Sequence, residues 1–390
     1  MSSEKYVLGD FENVAAGAAI LASGGGGSYL DAVEVLAALG VGWQGSVTVA
    51  DYDGTTDACV LAMMGSPDAA TSLGLDEIRR SFTNTLATFG SAVGRMPGCL
   101  IPVEIGPVNS IVPLIAAADL GLWVVDGDGA GRAVPELPQT TYGGSARLPA
   151  APCALANDAS LSAKVESALL NAASSARIET QAGGIVSAFG SFSGIALWPS
   201  NATNSFALCD SYIPGTMAQA RDLGRYLRTA TNPPSTAEVA KAVTEITGRL
   251  SVAPIVNFYI TNVSQTTSSA SLDAGLIRLD NTPDPAASTE TCTLYNLNEN
   301  LIAYSSTAEA PLIVAPDSIC YYSETTGRGF SNATNDLAQY YDFSTGKSKG
   351  RAVSLIKVET APALYRAPGV LASFAGLLRQ IGYAGALPNY

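Results

Sequence analysis

Apolar and polar positions fall into blocks along the first 175 residues, and the length and period of those blocks predict the elements. NVAAGAAIL (13–21) reads as a short helix and YLDAVEVLAALG (29–40) as an amphipathic one, with Ser23 and four glycines between them. Unbroken apolar runs at 46–50, 58–63, 99–103 and 123–125 have the length of buried strands, the second running into Gly65, Ser66 and Pro67. An apolar segment at 109–120 separates the last two runs. Alternating strand and helix signals predict an N-terminal α/β layered domain with a largely parallel sheet.

After Pro233, Pro234 and a helix predicted at 235–247, the texture changes. Residues 250–358 are rich in Val, Ile, Thr, Ser and Tyr with turn punctuation, as in SVAPIVNFYITNVSQTTSSA and PLIVAPDSICYY, which predicts a β-rich C-terminal domain. An apolar helix at 369–381 is expected to pack back on the first domain. The expected organisation is an α/β ligand-site domain over 1–240, a β-rich domain over 241–360 and a C-terminal segment over 361–390.

Composition supports a large core: 47% of the 390 residues are hydrophobic and 14% charged, with a mean hydropathy of +0.21. A net charge of -13 opposes nonspecific contact with nucleic acid or anionic membranes, so neither is an expected partner. The start, MSSEKYVLGDFENV, lacks the basic and apolar regions of a signal peptide, and no apolar run reaches membrane-spanning length. A cytoplasmic protein is expected, with a homo-oligomer left open. Six scattered cysteines without a CxxC pair argue against a disulfide framework and for buried thiols.

The chain contains no histidine. That excludes Ser-His-Asp and Cys-His catalysis, imidazole-ligated zinc and any histidine switch. Carboxylate, thiolate, lysine or tyrosine chemistry is left, or binding without chemistry.

The block from Cys99 to Tyr142 concentrates the candidate polar groups. Glu104 closes one apolar run, and Asp126 and Asp128 close the next. Ligands of open parallel sheets bind beyond the carboxyl ends of strands, which favours a site; Asp and Gly also build sharp turns, which is the competing explanation. Arg132 and Glu136 follow at once and tilt the balance to a site. The glycines Gly24, Gly25, Gly26 and Gly27 allow close backbone approach to a ligand, and their N–H groups ahead of a helix could face an anion; a tight turn explains them equally well. No Walker lysine follows, so a nucleotide is not expected. Trp123, Trp198, Tyr142, Tyr321 and Tyr322 are candidate stacking partners, each with core filling as the alternative.

Taken together, GGGGS, the GSP at 65–67, PVNSIVPLIAAADLGLWVVDGDGAGRAVPELPQTTY, NEN at 298–300 and APDSI around Asp317 resemble the S-methyl-thiohydantoin desulfurase-like family, which is associated with hydantoinase and oxoprolinase genes. The resemblance covers nearly the whole chain, and DGDGxGRAxPEL is its most specific part. It implies an α/β domain followed by a β-rich one, handling of hydantoin-like or other small five-membered rings, and a metal in the enzymatic members. The matching positions are Gly24, Gly25, Gly26, Gly27, Asn109, Asp126, Asp128, Arg132, Glu136, Asn298, Glu299 and Asp317. Ala130 and Trp123 depart from the family pattern.

Two functions are carried forward. In one, Asp126 and Asp128, with Glu104, hold a hard divalent cation, calcium or magnesium rather than zinc, or act as acid and base on a cyclic amide or thioamide while Arg132 orients a substrate carboxylate. In the other, catalysis is lost and the family pocket holds a flat conjugated chromophore, as in a fungal pink chromoprotein with this fold. Gly25, Gly26, Gly27, Asn109, Trp123, Arg132, Glu136, Asn298 and Glu299 would then line the pocket. The missing histidine narrows catalysis and favours binding.

Overall fold

The computed structural model describes residues 3–40, 42–65, 74–159, 164–190, 192–267 and 273–389. Ser66 and Pro67 of the GSP motif lie outside these residues. The first sheet contains β1 (Ser3–Tyr6), β2 (Val47–Ala50), β3 (Ala58–Gly65), β4 (Cys99–Pro102), β5 (Trp123–Val125), β7 (Cys153–Ala156), β8 (Ser167–Leu170) and β9 (Phe192–Ser200), in the order β1-β2-β5-β4-β3-β9-β7-β8. The short β6 (Gly127–Asp128) pairs with β10 (Ile213–Pro214) instead. The run β2-β5-β4-β3 is parallel, as the alternating pattern predicts. Its flanks, β1 on one side and β9, β7 and β8 on the other, pair antiparallel.

Alternation across the strands builds two apolar layers. Cys59, Leu61, Leu100 and Val124 face α1 (Leu8–Leu21), α2 (Tyr29–Ala38), α3 (Leu75–Val93), α4 (Pro107–Leu120), α7 (Thr216–Thr229) and α8 (Thr236–Thr247). Val60, Ala62, Ile101 and Val125 face the layer closed by α5 (Ser175–Ala188) and α6 (Ser205–Cys209). Local signals set the helix ends: Pro107 occupies the first turn of α4 and left-handed Gly121 ends it, while a Ser235–Glu238 capping box starts α8 and Gly248 ends it. Helices α1 and α7 approach closely because Gly17 and Gly224 lack side chains. A Cβ on Gly17 would lie 1.8 Å from the carbonyl oxygen of Ala220.

The second sheet is antiparallel throughout, in the order β15 (Ile313–Val314), β14 (Glu299–Ser305), β13 (Thr291–Leu297), β12 (Asp273–Asp280), β11 (Ser251–Thr267), β19 (Val353–Val358) and β16 (Ser318–Tyr322). It is the predicted β-rich region. A small hairpin of β17 (Tyr341–Asp342) and β18 (Lys347–Ser348), with the short helices α9 (Thr334–Leu337) and α10 (Pro362–Arg366), completes it. The last helix, α11 (Val370–Gln380), packs Phe374, Leu377 and Leu378 against Ala130 and Val134 from the first part of the chain and Leu301 and Ile302 from β14. It therefore touches both parts. Among the described residues no helix is long and apolar enough to cross a membrane.

Candidate active site

The glycine run is the seam between the two parts. Asn300 N–H donates to the Ser23 carbonyl and Asn332 N–H to the Gly24 carbonyl, each at 2.8 Å, tying the run to the second sheet. The Gly26 carbonyl accepts from Val108 and Asn109 at 3.0 and 3.2 Å, tying it to the first turn of α4. A side chain is obstructed along this whole passage: a Cβ on Gly25 would fall 1.7 Å from Glu299 Oε1, one on Gly26 2.4 Å from Gly106 Cα, and one on Gly27 2.5 Å from Val108 Cβ. The helix N-terminus that follows is already served, since Ser28 caps it and Tyr29 and Leu30 N–H donate to the Asp336 carboxylate at 3.0 and 3.1 Å. The anion that such a helix start favours is supplied by the protein itself.

Beside this seam, beyond the carboxyl ends of β3 and β4, lies a cavity of about 110 Å³. Its walls come from Gly26 and Gly27, the end of β3 with Met63 and Met64, Glu104, the first turn of α4 with Val108 and Asn109, residues 134–137, Glu179 of α5, the start of β9, and Asn298 and Glu299. Glu104 is only 5% exposed. Its Oε1 accepts from Asn109 Nδ2 and its Oε2 from Val134 N–H, both at 2.8 Å. Asn109 Oδ1 in turn accepts from Met63 N–H at 3.0 Å, so one amide locks β3, α4 and Glu104 together.

Glu299 is 3% exposed, and its Oε1 accepts from Gly26 N–H at 3.3 Å. Its Oε2 is buried and has no hydrogen-bond partner among the described residues. Burial, and then repulsion between the two carboxyls, holds Glu299 well above the usual carboxylate range, with Arg132 and Gly26 N–H pulling the other way. Burial likewise raises Glu104, opposed by Asn109 and Val134 N–H. Loss of solvation pushes the partly exposed Glu179 up to about 8, despite the 2.9 Å hydrogen bond its Oε2 accepts from Leu137 N–H. The fourth carboxyl, Glu136, accepts from Gln139 Nε2 at 3.2 Å.

The cavity thus gathers Gly26, Gly27, Glu104, Asn109, Glu136, Asn298 and Glu299 from the expected set, with Gly25 directly beneath the Glu299 carboxyl. Asp126, Asp128, Arg132 and Trp123 lie elsewhere. Asp126 Oδ1 accepts from Ala218 N–H at 3.1 Å in the first turn of α7. Asp128 is fully buried and takes N–H bonds from Ala130 and Gly131 at 2.8–3.0 Å, shaping the turn after β6. Oxygens aimed at by main-chain N–H groups do not suit a cation, and among the described residues no group of three or more His, Cys, Asp or Glu could hold a metal. Arg132 is buried and donates to the carbonyls of Ala133, Pro316, Asp317 and Asn300 at 2.8–3.3 Å, so its guanidinium pins the two parts together and is not free to orient a carboxylate. Trp123 starts β5, at the end of the sheet away from the cavity. Trp198 and Tyr142 pack on each other with ring centroids 5.1 Å apart, and Tyr321 stacks on Phe330 at 4.5 Å, so these rings fill cores. Tyr322 donates to the Pro234 carbonyl at 2.6 Å from a buried position of its own. Asp317 accepts from Thr360 and pairs with Lys357 at 3.0 Å.

Glu179 is the cavity carboxyl that the sequence reading misses, and the apolar wall of Met63, Met64, Val108 and Phe192 is missed with it. A lone glutamate in SARIETQAGGIVSA has the pattern of a solvated helix face, and only the docking of α5 on residues 134–137 turns it inward.

The fold and site define a two-part α/β and antiparallel β protein with an acidic cavity at its seam. Two family models match it: S-Me-THD-like, N-terminal domain, over residues 9–167, and S-Me-THD-like, C-terminal domain, over residues 173–339. The chain belongs to the S-Me-THD-like family. Strand β9 falls within the second of these spans yet completes the first sheet, between β3 and β7. A protein from Chromobacterium violaceum, known from an X-ray structure, is similar at 26% identity over 99% of each chain, with a TM-score of 0.79. A search of curated proteins found no match.

Proposed function

We propose that the cavity binds a small, flat, uncharged cyclic amide or thioamide of the hydantoin type, and that the protein is an intracellular small-molecule binder. The observation that carries this reading is the buried Glu299 carboxyl at the cavity wall, with one oxygen unpartnered among the described residues. A buried polar atom left unpaired is costly, and a ligand that pairs it recovers that cost. The free Oε2 offers an acceptor for the N–H of a ring amide. Met63, Met64, Val108 and Phe192 supply apolar surface for the ring faces. A conjugated occupant retained through purification would make the protein a chromoprotein.

Calorimetry with hydantoin and 2-thiohydantoin, beside an absorption spectrum and mass spectrometry of the purified protein, tests the reading. Binding is expected to weaken at least tenfold in Glu299→Gln, whose amide keeps the Gly26 hydrogen bond but offers only donors at the free position. Binding of equal strength in the variant, or none in the wild type, refutes it. A second reading has its own support, because carboxyls raised towards neutrality, Glu179 to about 8, suit acid–base work at neutral pH. Ring opening of either compound with turnover, lost in Glu104→Ala, would establish a hydrolase.

A further inference from the structure

Electrostatics of the wall narrow the ligand further, on the reading of the cavity as a ligand site. Glu104, Glu136, Glu179 and Glu299 line it, and no Lys or Arg does among the described residues. The guanidinium whose field reaches both Glu104 and Glu299 is that of Arg132, and four of its five N–H groups are given to main-chain carbonyls. Of the main-chain donors at the wall, Val108 and Asn109 N–H serve the Gly26 carbonyl and Val134 N–H serves Glu104.

We infer that the cavity selects by charge, admitting neutral rings that carry N–H donors and rejecting analogues of the same size that carry a carboxylate. An anion there faces four carboxyls, and their repulsion of it grows as they give up protons with rising pH. A neutral N–H donor meets no such repulsion, since Glu299 Oε2 accepts it directly.

Hydantoin, hydantoin-5-acetamide and hydantoin-5-acetic acid separate charge from size, with affinities measured by calorimetry on the full chain at pH 8. The acetamide is expected to bind at least tenfold more tightly than the acid, and the ratio to fall below threefold in the Glu136→Gln, Glu179→Gln double variant. A wild-type ratio below tenfold overturns the inference, as does a ratio unchanged in a double variant that folds as the wild type by circular dichroism. An acetamide that fails where hydantoin binds makes size the selector and also overturns it. Failure of all three overturns the ligand-site reading with it.

Discussion

Replacing Glu179 by Gln should make the protein more stable at alkaline pH and leave it unchanged at acid pH. The carboxyl of Glu179 is displaced from an ordinary 4.5 to about 8 because burial disfavours its charged form. Between those values the folded chain holds a proton that the unfolded chain has lost, so folding stability falls as pH rises through this window. The penalty is absent below about 4.5 and complete above about 8. Each pH unit of displacement corresponds to about 1.4 kcal/mol, giving about 5 kcal/mol for a fully enclosed group. Relaxation and the partial exposure of the residue reduce this to about 2–4 kcal/mol. Gln carries no charge to desolvate, and its amide oxygen can keep the hydrogen bond from Leu137 N–H. Urea unfolding of both proteins at pH 5, 7 and 9 measures the effect. The curves should nearly coincide at pH 5 and separate by about 2–4 kcal/mol at pH 9, with the variant the more stable. Glu104, Glu299 and Asp128 tilt both proteins the same way, so only the difference reports Glu179. An offset independent of pH, or a wild type more stable at pH 9, would refute the reasoning.

Asp128→Asn should leave hydantoin affinity within twofold, because the carboxyl is spent on the Ala130 and Gly131 N–H groups. Lost binding with an unchanged melting temperature would instead make Asp128 a ligand contact. Gly17→Ala places a Cβ 1.8 Å from a backbone oxygen of α7 and should cost about 3 kcal/mol or more, read as a fall in the thermal midpoint. At Gly25 the obstacle is the movable Glu299 carboxyl, 1.7 Å from the added Cβ. Gly25→Ala should therefore cost only about 1–2 kcal/mol of stability but weaken hydantoin binding at least tenfold.

Pattern length and period locate most elements because burial of one strand face or helix stripe is written locally. The parallel centre of the first sheet, α2, α8 and the β-rich region all follow from it. Glu104 and Asn109 were legible for a further reason: both sit at the carboxyl end of a parallel strand or in the helix start just after it, where the fold opens. Asp126 and Asp128 have the same address in the sequence, but the chain turns back there through β6 and consumes their oxygens on its own N–H groups. Nothing local distinguishes a carboxylate that caps a turn from one that faces a cavity. Arg132 shows the same limit, since its partners Asn300, Pro316 and Asp317 arrive from the far half of the chain. The cavity itself depends on such arrivals and cannot be seen in any one segment.

The Gly26–Glu299 hydrogen bond joins positions 273 residues apart. A growing chain therefore has no cavity until the strand that begins at Glu299 has been made and docked, and a fragment matching the first family unit alone would leave the glycine run bare. Any molecule lodged between those walls acts as a clasp. At a concentration of 100 times its dissociation constant it adds about 2.7 kcal/mol to the folded state. That increment resists parting of the two halves along the glycine seam, so occupancy should be legible as protection from proteolysis at positions far from the molecule itself.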